Sequence, residues 1–162
     1  MKSNALRNQV IYTVFLRAHT GEGSFRSLIP DMDRIRALGV DIVCLMPIYP
    51  AAPEYGAETM PSPYSVLDHR RVNAEYGSMD DFRELLDEIH RRGMKCVLDV
   101  VMDSLCRASE LYRKHSEFFR SDEEESPESA DETEMIKLFF AEVFQCGHSV
   151  RFSPERPHFC AV

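Results

Sequence analysis

No apolar run in the 162 residues approaches the ~18 needed to cross a bilayer as a helix, so a membrane-spanning reading is excluded at the outset. The first nine residues, Met1 to Gln9, contain no apolar core of the kind a secretory leader carries; they lead straight into a strand-like stretch. No CxxC pair is present. The five cysteines, at 44, 96, 106, 146 and 160, are odd in number, and the spacing of a zinc site is missing. Cys44 and Cys96 sit inside apolar runs and read as small buried hydrophobes. A reducing, cytoplasmic setting follows. A basic face is missing too. The net charge is -8, with 27 acids against 19 Lys and Arg. Eight of those acids fall in residues 121–134 (SDEEESPESADETE), which contain no base. The other 19 acids balance the 19 bases, so the acidity belongs to one solvated segment and nucleic-acid binding is excluded.

What is present is an alternation of two periods. Val10–Leu16, Asp41–Met46 and Lys95–Val101 are apolar runs without polar alternation, the pattern of strands buried on both faces. Between the first two, Phe25, Leu28, Ile29, Met32, Ile35 and Leu38 recur at helical spacing, with Ser24 to cap the start and Gly39 to end it. A second helix is predicted from Ser78 to Arg92, opened by a Ser78/Asp81 capping box, striped by Phe82, Leu85, Leu86 and Ile89, and ended by Gly93. A third is predicted over roughly 133–146, ended by Gly147 and followed by a possible short strand at 149–152. Strand, helix, strand, helix predicts an α/β fold with parallel strands and right-handed crossovers. Two long connections, 47–77 and 102–132, leave the C-terminal ends of strands, the face where ligands bind in such folds. The second connection carries a short helical stretch near 107–119 and then the acidic run. Periodicity alone leaves an open doubly wound sheet and a (β/α)8 barrel as alternatives.

The motifs choose between them. Ser62-Pro63-Tyr64, Asp68-His69 and Val72-Asn73-Ala74-Glu75-Tyr76-Gly77-Ser78-Met79-Asp80-Asp81-Phe82 are similar, in order and register, to the SPY…DY…VNPEYGT-DDF pattern of the alpha-amylase family of glycoside hydrolases (family 13). His90-Arg91-Arg92-Gly93-Met94-Lys95 through Val101 resembles its third strand, and Glu117-Phe118-Phe119 its following P-E-W-F. The resemblance covers about residues 10–120 and implies the first three to four βα units of a (β/α)8 barrel, a single incomplete domain over 1–162 with a shortened strand-3 connection at 102–132. It implies that Tyr64 forms an aromatic wall for a sugar, whose apolar face suits a ring. It implies a partner for Asp99 from a strand-4 arginine, and Arg151 falls there when Gly147–Ser153 is laid on the family's G-x-D-G-F-R-x-D with one residue deleted. A purely structural buried pair is the other reading of Asp99, since an unpaired carboxylate in that run is costly.

The departures matter as much. Asp103-Ser104 stands where the family has Asn-His. Asp103 remains a possible oxygen ligand for calcium, while Ser104 lacks an imidazole's reach. Ser153 falls where the nucleophilic Asp belongs, and a retaining glycosidase needs a carboxylate nucleophile and a second carboxylic acid. Neither the acid of strand 5 nor the third carboxylate of strand 7 has a counterpart in these 162 residues. The expectation is an alpha-glucan or oligosaccharide glycosidase fragment, inactive alone, with weak sugar affinity. The alternative is a non-enzymatic sugar- or partner-binding half-barrel. Open barrel edges predict a homodimer or a marginally stable chain.

Overall fold

The computed structural model describes residues 8–52, 61–101, 107–114 and 159–161. Strands β1 (Ile11–Val14), β2 (Ile42–Leu45), β3 (Lys95–Val100) and β4 (Phe159–Ala161) form one sheet in the order β1-β2-β3-β4. β2 runs parallel to both neighbours, with Tyr12 opposite Val43 and Val43 opposite Cys96. The helices are α1 (Leu16–His19), α2 (Phe25–Leu28), α3 (Met32–Ala37), α4 (Met79–Arg91) and α5 (Glu110–Lys114). The chain divides into two compact units. One holds the sheet and its crossover helices, from residues up to 48, 72–99 and the last three. The other holds 49–71 and 100–159.

In the first unit the side chains follow the pleat. One face of the sheet carries Val14, Val43 and Leu45, all fully buried. Right-handed crossovers place the connecting helices on one side, and these helices bring Phe25, Leu28, Met32, Ile35, Leu85 and Ile89 out of water completely. Each such side chain contributes roughly 1.5–3 kcal/mol. On the other face Ile42 and Val97 are buried, Cys44 and Asp99 are half-buried, and Ile11, Thr13 and Lys95 are exposed.

The predicted first helix is broken in two. Pro30 lacks an N–H and crowds the preceding turn, so the chain passes through a 3-10 turn at Ile29–Asp31 and restarts as α3. The Ser24 cap forms as expected, its Oγ accepting from the Ser27 N–H at 3.1 Å. Leu38, predicted on the apolar stripe, is 59% exposed. Gly39 at φ 82° turns the chain there, and Val40 is buried in its place. β1 is also shorter than the apolar run, because Leu16 opens the helical turn α1.

The Val72–Phe82 motif is accounted for by α4's entry. The Asp81 carboxylate accepts from the Ser78 N–H and Oγ, each at 2.7 Å, while Ser78 Oγ accepts from the Asp81 N–H. That carboxylate leans over Gly77, whose φ is 121°; a Cβ there would lie 2.9 Å from Asp81 Oδ2. Arg26 of α2 donates to the other Asp81 oxygen. Tyr76 O accepts from the Phe25 N–H at 2.8 Å, and the Phe25 ring packs against Tyr76 and Phe82. Arg92 then joins α4 to α3 through Asp33.

Ser78→Ala is expected to lower stability by about 1 kcal/mol. Gly77→Ala is expected to cost ~1–3 kcal/mol through its backbone conformation alone, while Met79→Ala, at an exposed helix position, changes little. Urea titrations of the three variants rank them, and equal midpoints for all three contradict the capping account.

Candidate functional site

Tyr64 sits in the second unit, in the connection that follows β2. Ala51 and Val66 bridge as antiparallel partners, with the Ala52 N–H donating to Ser65 O at 2.9 Å and the Leu67 N–H to Pro50 O at 2.8 Å. These bonds close the connection at its base. Ser65 N–H donates to Ser62 O at 3.1 Å, making the tight turn on which Tyr64 stands. Tyr64 is 37% exposed. A hydrogen-bonded turn that leaves a tyrosine partly exposed to water is suited to stacking on an apolar ligand surface.

The same unit is held from beneath by a residue the sequence reading passed over. His69 is 8% exposed, packs its ring at a tilt against Tyr49 with centroids 5.1 Å apart, and its Nε2–H donates to Val101 O at 2.8 Å. The bond fastens the connection after β2 to the residue that follows β3. Burial pulls the imidazole down to about 4 from its ordinary 6.5, against the smaller upward pulls of the Val101 carbonyl and Asp68. His69 is therefore neutral at physiological pH. Asp68 beside it accepts from the Arg70 N–H and from Arg71 Nε. The cavity against His69, under Leu111 of α5, has a volume of about 20 Å³, room for a single water at most. A signal for His69 existed in the sequence: it stands where the resembling pattern has tyrosine, so a polar ring had to find a partner in an apolar setting.

Asp99 lies in the first unit, next to last in β3, and is half-buried. Arg151 and Asp103 lie outside the described residues, as do Ser104, Ser153, the third predicted helix and the predicted strand at 149–152. The structure thus places two of the four expected site residues, each within its own unit. Calcium needs six to eight oxygen donors. No group of three His, Cys, Asp or Glu side chains assembles among the described residues, and Asp103 lies outside them. No described helix is long and apolar enough to cross a membrane.

An open cleft of about 660 Å³ lies elsewhere in the first unit, beside Tyr12 and Arg34. Its polar groups are already spent on one another. His19 Nε2 meets Asp31 Oδ2 at 2.7 Å, Arg34 donates twice to the same carboxylate at 2.6 Å, and Thr20 pairs with Ser27 at 2.6 Å. The Arg34 guanidinium, with His19, holds Asp31 down to about 2 despite partial burial. The cluster locks α1 onto the turn before α3 and offers a ligand little.

The model of the alpha-amylase catalytic domain matches residues 9–134. The chain belongs to the alpha-amylase family. It is 37% identical over 109 residues to a probable oligo-1,6-glucosidase 2 of Bacillus subtilis, covering 64% of this chain and 18% of that protein. It is 33% identical over 117 residues to a trehalose synthase/amylase of Mycolicibacterium smegmatis, covering 69% and 19%. Among solved structures it matches an alpha-amylase from Lactobacillus plantarum with a TM-score of 0.72 at 32% identity, covering 85% of this chain and 37% of that one. The chain therefore spans about a fifth of the length of these curated relatives. Its fold is a partial (β/α)8 barrel, and the parallel β1, β2 and β3 correspond to the barrel's opening units.

His69 gives the fold a signature in acid. The unfolded chain takes a proton near pH 6.5 and the folded chain resists until about 4, so stability falls as pH drops through that window, by at most ~3 kcal/mol. Asp31 and Glu88, both held to about 2, lose their contributions only below the ordinary carboxylate range. Urea midpoints measured against pH are expected to fall between 6.5 and 4 in the native chain. In His69→Phe that slope disappears and the acid limb below 4 remains. A slope that survives the substitution contradicts the assignment.

Proposed function

We propose that this chain carries the opening sugar-facing loops of an alpha-glucan or oligosaccharide glycosidase. Alone, the 162 residues bind such sugars weakly through Tyr64 and hydrolyse none. One observation supports the reading most: within the span matched to the catalytic domain, Tyr64 is exposed on a hydrogen-bonded turn after β2. An aromatic ring held this way contributes to sugar affinity by stacking. Asp99, at the C-terminal end of β3, is the second candidate contact, and Arg151 the third.

The chemistry of hydrolysis supports the other half. Cleaving a glycosidic bond with retention needs one carboxylate to attack and one carboxylic acid to protonate the leaving oxygen. The alignment of 147–153 puts Ser153 at the nucleophile's place, and a hydroxyl without a base beside it is a poor nucleophile. Asp103 is the candidate for a hard cation, and no step is assigned to a metal. A reducing, cytoplasmic setting accords with Cys44 and Cys96, which form no disulfide, and with the Cys96 thiol, which burial pushes up to about 12 and so keeps protonated. A sugar-binding module without hydrolysis is a second reading, favoured by the same exposed ring.

Assays on maltose, sucrose, starch and nitrophenyl glucosides are expected to give no turnover above a mock preparation. Calorimetry with a maltooligosaccharide is expected to show affinity weaker than micromolar, reduced about tenfold, or ~1.4 kcal/mol, by Tyr64→Ala. Turnover that Asp99→Ala abolishes, or binding indifferent to Tyr64→Ala, overturns the reading.

A further inference from the structure

Building on the reading of Tyr64 as a sugar contact, we infer that His69 is its positioning residue: the ring bond from His69 to the Val101 carbonyl holds the Tyr64 turn in one place. Tyr64 stands five residues before His69 in the chain. Between them runs a short ladder. Ala51 bridges Val66, the Ala52 N–H donates to Ser65 O, and the Leu67 N–H donates to Pro50 O. Val66, at the centre of the ladder, is fully buried. Whatever sets the base of this ladder therefore sets the turn at its tip. The base is where two rings meet: Tyr49 precedes one ladder strand, His69 follows the other, and they pack against each other. Beyond His69 the backbone is fixed as well, since Asp68 accepts from the Arg70 N–H at 2.9 Å and from Arg71 Nε at 3.0 Å.

The bond from His69 to Val101 does not open by itself. Both residues are buried, and the cavity beside His69, of about 20 Å³, admits one water at most. Breaking the bond in place strands a donor and an acceptor away from water, the costly case for a buried hydrogen bond. The cheaper way is to lift the whole connection off Val101, and the ladder and Tyr64 then move with it. The connection thus has two states, one seated with Tyr64 held and one lifted with Tyr64 released. A sugar stacking on the seated state meets a ring that is already ordered, which is where preorganisation adds affinity. The donor on His69 sets the balance between the two states without touching the ligand.

Calorimetry with a maltooligosaccharide and amide exchange, both on the full chain, test this. His69→Phe keeps a ring against Tyr49 and removes the donor, while His69→Gln removes the ring and keeps an N–H at the reach of Nε2. His69→Phe is expected to weaken binding about tenfold, as Tyr64→Ala does, and the double variant no further, because both changes act on one contact. His69→Gln is expected to restore most of the affinity. Exchange at the Ser65 and Leu67 amides is expected to speed up in His69→Phe about tenfold more than at Val43 and Leu45. If His69→Phe unfolds, the native chain decides: the His69 ring N–H and the Ser65 and Leu67 amides then share one protection factor. Binding indifferent to Tyr64→Ala removes the sugar reading alone, and exchange still decides the positioning. Ser65 and Leu67 exchange that follows Val43 and Leu45 in His69→Phe, a loss that His69→Gln does not restore, additive losses in the double variant, or separate protection factors in the native chain overturn the inference.

Discussion

Everything in the first unit depends on the pairing of β2 with a parallel strand on each side. Parallel neighbours cannot be joined by a tight turn; each pair needs a crossover, and the crossover is where the helices lie. β2 has Tyr12 and Cys96 flanking Val43, so the two crossovers, through α2 and α3 and then through α4, must return to adjacent positions in one sheet. Asp41 shows how tightly the entry is set. Its N–H donates to Val10 O, its carbonyl accepts from the Lys95 N–H, and its carboxylate accepts from the Val10 N–H. One residue at the foot of β2 thus fixes both neighbours in register. A shift by one residue would turn Val43 and Leu45 out of the core and bring Cys44 in.

From that constraint the helix ends follow. The apolar stripe of α4 has to meet the helices before β2, and the contact is made by Phe25, Phe82 and Tyr76 as an aromatic cluster with Arg26, Asp81 and Gly77 at its polar rim. Gly77 is glycine because Asp81 occupies the space of a Cβ. Asp81 is there because Ser78 needs a cap. These are the residues of the motif that resembles the family's, and their reason here is packing and capping. In the second unit the motif residues differ in kind: Tyr64 is exposed on its turn, while His69 is buried as a fastener.

Sequence reasoning went furthest where one local rule decided the outcome. Ser24 and Ser78 capped helices, Gly39 and Gly93 ended them with positive φ, and three unalternating apolar runs became parallel strands. It went less far where two rules competed. Pro30 lay inside a good apolar stripe, and the stripe concealed the break. Leu38 had helical spacing but sat at the cap, where the chain turns at Gly39. β4, at Phe159–Ala161, was missed because three residues carry too little periodicity to be distinguished from a tail. His69 was marked only by standing where the resembling pattern has tyrosine; its partner, a carbonyl 32 residues away, is announced by no local pattern. Of the site, Tyr64 falls on a turn in the connection after β2 and Asp99 near the end of β3, both within motifs that carry the resemblance; Arg151 and Asp103 fall outside the described residues.

The central claim is that these residues form the parallel opening units of a barrel, with β2 between β1 and β3. Proton–proton contacts across strands, measured by nuclear magnetic resonance on the labelled chain, test it most directly. The account predicts backbone contacts between Tyr12 and Val43 and between Val43 and Cys96, repeating in the same chain direction at Val14 with Leu45 and at Leu45 with Leu98. Contacts that run in opposite directions along the paired strands, or β1 beside β3 in place of β2, would contradict it.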